Sequence, residues 1–415
     1  MIPGSNPGDR TKLFLKIIYS IFRYCNWVKL NSLNNRLKVA STFLILLVIL
    51  ISALLVNSVY NHPSRDRMFY VGVEYAYAEE TKQLKALVDK VAGYSNLFVI
   101  GSLEISFNRT ALDESCDYIS DSGLSFIVLF TGLDRYNWSD GYKITSWMVD
   151  AQTRYGDKFL GIYKIDEPGG NQLENSPPKI INDTSTYSQT AQNYVGNLSL
   201  MTNYYYPYTP RVFTADFALN WFDYKSNYTA VFAEFVGNES EQRIIALNRG
   251  AATAFQRDWG VIINWKYNQP PHYLENGAEL YEDLVLTYSA GAKYGIVFSY
   301  PNLTSTPYGI IEEEHFDALH RFWETMKSDS DSFGNNQAEV AYVVPKDYGF
   351  GFRYANDRIW GLFPSDSLSE KIYNDVQTLT SRYGAKFDIL YDEPETIAPL
   401  LPRYNLVFYW NQTLI

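Results

Sequence analysis

The stretch GDKFLGIYKIDEPGG, residues 156–170, carries the most readable pattern in the chain. An apolar run from Phe159 leads directly into Asp166, Glu167 and Pro168, and two glycines follow. Proline cannot donate to a ladder and glycine eases the turn, so the pattern predicts a buried strand with two carboxylates at its C-terminal tip. Seven other runs have the same β-rich character: MFYVGVEY (68–75), NLFVIGSLEI (96–105), LSFIVLFTGL (124–133), RVFTADFA (211–218), TAVFAEFV (229–236), WGVIINWKY (259–267) and YGIVFSYP (294–301). Helix-patterned segments alternate with them at Glu79–Ala92, Thr110–Ser122, Lys143–Tyr155, Glu239–Arg257 and Glu279–Ala292, and Glu312–Lys327 follows the last strand. Near-continuous apolar strands alternating with helices predict a parallel sheet covered on its outer face. Their number and span match the ~250 residues of a TIM-type (β/α)8 barrel.

Residues 61–327 are therefore expected to form the barrel domain. The polar stretch from Pro168 to Pro210, after the fourth strand, reads as an insertion on the C-terminal face, where loops build sites. SDSDSFGNNQ (328–337) reads as a linker. Residues 338–415 then predict a small parallel α/β unit: AEVAYVVP, a helix over Ser367–Tyr383, KFDILYD, a short helix near Glu395, and YNLVFYW. Gly349-Phe350-Gly351 lacks the third glycine and the immediate helix of a nucleotide loop, so it reads as a turn.

Acids recur near the predicted strand ends: Glu74, Glu104, Asp134, Asp166 with Glu167, Asp216 and Glu234. Glycoside hydrolysis has a use for such a rim. One carboxyl must be protonated to donate to the leaving oxygen, while another must be ionised to attack the anomeric carbon or activate water. Crowded carboxylates raise one another's pKa, and burial raises it further, which splits the two roles. Tyr75, Trp221, Trp265 and Tyr300 lie near strand ends as candidate platforms for sugar faces. The stretch KFLGIYKIDEPGG resembles the barrel glycoside hydrolases whose fourth strand ends in Asn-Glu-Pro or Asp-Glu-Pro. That resemblance covers residues 68–325 and implies that Glu167 is the general acid/base, with Asp166 at the position that is Asn in many members. The family nucleophile is a Glu ending strand seven, but GVIINWKYNQ has no acid there. Glu234 on strand six is the substitute that the rim pattern offers. Residues 338–415 resemble, in shortened form, the flavodoxin-like domain that follows the barrel in some β-galactosidase relatives.

Plainer readings stand beside these. Asp-Glu-Pro is also ordinary turn chemistry, and Glu234 could be a solvated residue before the sequon at Asn238. Glu74, Glu104 and Asp216 suit structural or substrate hydrogen bonds better than catalysis, and aromatics often serve only as core. A non-catalytic glycan-binding or envelope protein on a degenerate barrel is the alternative function. No cofactor is implied: the four histidines lack zinc spacing, and no Walker loop, GxSxG elbow or full dinucleotide fingerprint occurs.

The net charge of -11 divides unevenly. Residues 1–38 hold seven Lys/Arg and one Asp, or +6, leaving 28 minus 45, or -17, for the rest. Between them VASTFLILLVILISALLV (39–56) is long enough, at ~1.5 Å per residue, to span a bilayer. A single transmembrane helix over 39–60 is expected, the competing reading being a cleaved secretory signal. The basic leader places the N-terminus in the cytoplasm and the acidic body outside. Leu13–Leu30 reads either as an amphipathic helix on the inner surface or as a loose leader. Eight sequons follow the span and none precedes it, which predicts an N-glycosylated exterior. Cys25 and Cys116 would lie on opposite sides and cannot pair. An anchored, sequon-rich chain suits an archaeal surface protein. Its expected partners are an oligosaccharide or polysaccharide and the membrane, with nucleic acid disfavoured by the acidic body.

Overall fold

The computed structural model describes residues 68–414 apart from 77–79, 133–135, 137, 139–140, 175–178, 184, 267–273 and 300–307. The basic leader, the apolar span over 39–60 and the Leu13–Leu30 segment lie outside the described residues. Among the described residues, no helix is long and apolar enough to cross a membrane.

Eight parallel strands close into a barrel in sequence order: β1 (Tyr70–Tyr75), β2 (Leu97–Ile100), β3 (Ser125–Phe130), β4 (Phe159–Lys164), β5 (Val212–Asp216), β6 (Ala230–Phe235), β7 (Asp258–Ile263) and β8 (Tyr294–Ser299). The closing pair sets Tyr70 opposite Tyr294 and Tyr75 opposite Ser299. Alternate residues enter the barrel, so Leu97, Val99, Phe213, Phe232, Ile262 and Tyr294 fill an interior cluster distinct from the layer under the helices. Fully burying side chains of this size stabilises by about 1.5–3 kcal/mol each. Gly72 is required by close approach, since a Cβ there would stand 1.8 Å from the Leu97 carbonyl oxygen.

β4 departs from simple alternation. Its register with β3 shifts between Phe126 and Ile127, and Gly161 has a φ of 138°. This bulge lets both Leu160 and Tyr163 face inward while Ile162 joins the outer layer. The tip of β4 is thereby re-aimed, and Asp166 reaches the barrel mouth.

Four expectations change. Strand two ends at Ile100, and Glu104 sits on a short helix, Leu103–Phe107, whose first turn is capped by Ser102. The 168–210 insertion contains a 19-residue helix, Tyr187–Tyr205. Its Asn, Ser and Thr content hid a buried stripe of Thr190, Tyr194, Leu198, Thr202 and Tyr205, and packing overrides weak propensity there. An unpredicted helix, Asn220–Lys225, follows β5. The 328–337 segment is not a free linker: the helix Glu313–Asp329 continues into a 3-10 turn whose Phe333 is buried, stacked on Phe322 at 5.1 Å.

The C-terminal residues form a parallel three-stranded sheet from β9 (Val340–Val344), β10 (Phe387–Tyr391) and β11 (Leu406–Tyr409), in the order β10-β9-β11. It packs on the barrel helix Glu241–Phe255, close enough that a Cβ on Gly250 would lie 2.4 Å from the Ile389 carbonyl oxygen. Arg249 of that helix pairs with Asp388 at 2.7 Å and donates to the carbonyls of Asn336, Ala385 and Phe387. With its charge paired and its donors satisfied, this guanidinium is a structural clamp. Gly349 is a packing glycine, because the Trp360 ring lies 2.3 Å from where its Cβ would be.

Candidate active site

The turn after β4 is strained. Ile165 and Glu167 both have left-handed backbones, with φ of 60° and 49°, a conformation costing non-glycine residues roughly 1–2 kcal/mol. The neighbouring strand holds it in place. The Glu167 N–H donates to the Ala215 carbonyl at 3.1 Å, and the Thr214 hydroxyl donates to the Ile165 carbonyl at 2.6 Å. Pro168 opens the helix Pro168–Leu173, where its missing N–H costs nothing. Gly169 and Gly170 follow because their N–H groups turn onto the Asp216 carboxylate. A Cβ on Gly169 would stand 2.6 Å from Asp216 Oδ2, and one on Gly170 would stand 2.4 Å from the Phe217 ring. Strain of this kind persists where the surroundings over-determine it, and it gathers at functional sites.

Asp216 therefore acts behind the mouth. Its carboxylate is buried, takes a third N–H from Ala218 at 3.0 Å, and is hydrogen-bonded to Asp223. Burial pushes Asp216 up to about 7, against the pull of the Ala218 and Gly169 amides. Burial, and then the Asp216 charge, holds Asp223 well above the usual carboxylate range, so Asp223 keeps the proton and donates it to Asp216. Tyr194 donates to the other side of Asp223 at 2.8 Å.

At the mouth lies a cavity of about 340 Å³ whose walls include Glu74, Glu104, Tyr163, Asp166, Glu234, Asn264 and Phe298. Glu234 is buried, and burial, then the charge of the neighbouring Glu167, raises its pKa well above the ordinary value. Glu167 is half-buried and meets the cavity through this contact with Glu234. Glu74 is also raised well above its usual range, by burial and then by Asp166. Asp166 keeps contact with solvent in the open mouth but is otherwise enclosed by protein. That enclosure raises its pKa, while the hydrogen bond from the Tyr163 hydroxyl works the other way.

The predicted residues thus separate. Glu74, Glu104, Asp166 and Glu234 line one cavity, and Glu167 touches Glu234. Trp265 is 39% exposed on the segment beyond β7, and Tyr300 lies outside the described residues. Three assignments are corrected. Asp216 binds backbone amides rather than facing the cavity. Tyr75 is the outward-facing last residue of β1, buried in the layer under the helices with its hydroxyl toward Glu80 and Gln83. Trp221 is buried outside the barrel, against Phe255 and Tyr391, with its indole N–H on Glu393 at 3.2 Å. Tyr163, Asn264 and Asp223 were missed. The bulge hid the inward turn of Tyr163, and nothing local in NWFDYK marks Asp223 as the partner of Asp216.

No protein family matches the sequence, and no curated protein matches it. Solved structures match in fold. The β-galactosidase of the Antarctic haloarchaeon Halorubrum lacusprofundi is 13% identical, with a TM-score of 0.51, covering 82% of this chain and 69% of that one. A GH5_18 protein from Bifidobacterium longum subsp. infantis is 11% identical, TM-score 0.48, covering 83% and 97%. The α-L-fucosidase isoenzyme 2 of Paenibacillus thiaminolyticus is 12% identical, TM-score 0.47, and this chain spans 59% of its length while 82% of the chain is covered. At these identities the likeness is one of fold alone, a closed barrel of eight parallel strands covered by helices.

Proposed function

We propose that the chain is a glycoside hydrolase that cleaves an oligosaccharide or polysaccharide at the barrel mouth, with Glu167 as general acid/base and Glu234 as the partner carboxylate. The observation that carries this reading is the buried Glu234 carboxyl in the wall of an acidic cavity, with Glu167 held beside it on a strained turn. Neighbouring carboxyls disfavour each other's ionisation, which favours the protonated-plus-ionised combination that glycoside cleavage needs. When a sugar enters between them the proton passes from Glu234 to Glu167: Glu167 then protonates the glycosidic oxygen, the C1–O bond breaks, and the Glu234 carboxylate so formed bonds to C1. Water, deprotonated by Glu167, then attacks C1 and releases Glu234. Neighbouring carboxyls suit this double-displacement route, in which the anomeric configuration is retained; an inverting enzyme needs ~6.5–9.5 Å between them for its water. Asp166 and Glu74 hold the sugar, and Trp265 offers an exposed face at the rim.

In the same proposal residues 39–56 anchor the chain, the leader lies in the cytoplasm, and the barrel stands outside. Exposed side chains at the sequon residues Asn108, Asn182, Asn197, Asn238 and Asn411 support a glycosylated exterior, with Asn227 half-buried. The second reading, a glycan-binding protein without turnover, is favoured by one observation: the cavity wall beyond β7 carries Asn264 where the resemblance implies an acid. A panel of aryl-glycosides and oligosaccharides decides between them. The wild type should cleave at least one, with the first product retaining its anomer by proton NMR. Glu167→Gln should lower turnover by about 10²–10⁴ with unchanged circular dichroism. Glycan binding without cleavage of any substrate selects the second reading.

A further inference from the structure

Hydrolysis by Glu167 and Glu234 needs two carboxyls, yet Glu74, Glu104 and Asp166 also line the cavity. Among its described walls there is no Lys, Arg or His to balance them. Glu74 is the most informative of the three. It is 3% exposed, and its Oε2 has no hydrogen-bond partner. Gly101 makes room for it, since a Cβ there would stand 2.1 Å from Glu74 Oε1. The chain thus forgoes a side chain on β2's exit to hold an unpartnered carboxyl against the cavity, and an unsatisfied buried acid is unfavourable unless a ligand completes it.

The ligand's chemistry follows from what would complete it. A neutral hydroxyl supplies one donor and no charge. An ammonium supplies three donors and a full positive charge, which offsets the burial of Glu74 on one side and pairs with the solvent-facing Asp166 on the other. A metal ion is the other cationic candidate, but among the described residues no group of three His, Cys, Asp or Glu is arranged to hold one. The remaining walls suit a sugar ring: Leu103, Leu129, Ile262 and Phe298 give apolar contact, and Asn264 gives both a donor and an acceptor. We propose that the sugar bound at this mouth is a hexosamine with a free amino group, its ammonium held between Glu74 and Asp166. This rests on the hydrolase reading for the site and adds the substrate class. Burial, then Asp166, raises the Glu74 pKa, so seating an ammonium there favours ionisation and releases a proton. Asp166, Glu234, Glu104 and Tyr163 face the same space, and Glu167 and Asp216 stand behind it, so the proton comes from the cluster as a coupled unit.

The test is titration calorimetry of the full chain at pH 6, where the amine is protonated, using short glucosamine and galactosamine oligosaccharides and their N-acetylated counterparts. The free-amine sugars should bind at least about ten-fold more tightly, with an enthalpy that depends on the buffer because protons leave on binding. Glu74→Gln should remove that preference while keeping the wild-type melting temperature. Gly101→Ala, which pushes on Glu74 without altering charge, should weaken it too. Equal affinity for acetylated and free-amine sugars, binding of neither, or spermidine binding as tightly as the oligosaccharides overturns the proposal. Cleavage of neutral sugars with no amine preference overturns it while leaving the hydrolase reading intact. Amine-selective binding with no cleavage supports it and removes the hydrolase reading instead.

Discussion

Two carboxyl pairs stand at the C-terminal end of this barrel, Glu167 beside Glu234 and Asp216 beside Asp223, and in each the charge of one member raises the pKa of the other. Their surroundings assign them different work. Asp216 spends its lone pairs on the N–H groups of Gly169, Gly170 and Ala218, and Tyr194 closes the far side of Asp223. Neither Asp216 nor Asp223 lines the cavity at the mouth. Glu234 faces a cavity, and its partner rides on a left-handed turn that Asp216 pins down. Carboxyl pairing alone therefore does not mark a reactive site. What distinguishes one is bonding capacity left unused beside open space.

Removing charge from the outer pair gives the sharpest contrast. Glu234→Gln should lower turnover by about 10²–10⁴, measured on any substrate the wild type cleaves, while the melting temperature holds or rises, because a buried group that resists ionisation is replaced by a neutral amide. If Asp216→Asn cost as much activity as Glu234→Gln and left stability equally untouched, the division of labour would collapse. The inner pair should show the reverse balance. Asp216→Ala orphans three amide donors and should cost roughly 1–3 kcal/mol in urea unfolding, with Asp223→Asn milder because an amide can still donate to Asp216.

A pH series extends the comparison to both pairs. Asp216 titrates at about 7 in the fold against 3.8 as its ordinary value, and Asp223, Glu74 and Glu234 are raised as well. A raised folded-state pKa means the folded state binds more protons, so this contribution to stability is full below about pH 4 and is lost as pH rises through about 7. The melting temperature should fall between pH 5 and pH 8, and Asp216→Asn should flatten that slope. The smallest expected effect is that of Tyr163→Phe, which removes the hydroxyl bonded to Asp166. It should cost about 0.5–1.5 kcal/mol, visible as a several-fold rise in KM with kcat little changed.

The barrel was legible because each strand announces itself locally. VFTAD, AVFAEF and YGIVFS are apolar runs bounded by helix patterns, and local pattern is what sequence records. The helix Tyr187–Tyr205 was not legible, since its stability comes from a stripe that packs on the barrel and not from propensity. The same limit explains the site. Glu167 could be found from the Asp-Glu-Pro-Gly-Gly turn, which is contiguous. Trp221 was misplaced because an unseen helix carries it outward, and Tyr75 because alternation at the end of β1 sends it to the outer layer.

The sequence by itself determined that strands would alternate with helices, that acids would sit at several strand ends, and that the fourth strand would end in a turn at Asp166, Glu167 and Pro168. These depend on residues adjacent in the chain. The tertiary structure alone decided which acids meet, because pairing across the mouth depends on barrel closure, on the bulge at Gly161 and on contacts between residues such as Glu167 and Glu234 that lie far apart in sequence. It also decided which carboxyls keep an unpartnered oxygen, Glu74 among them, since satisfaction is a property of the whole surrounding shell. That is why Asp216, read from sequence as a ligand binder, turned out to be the residue that holds the turn of Glu167 in place.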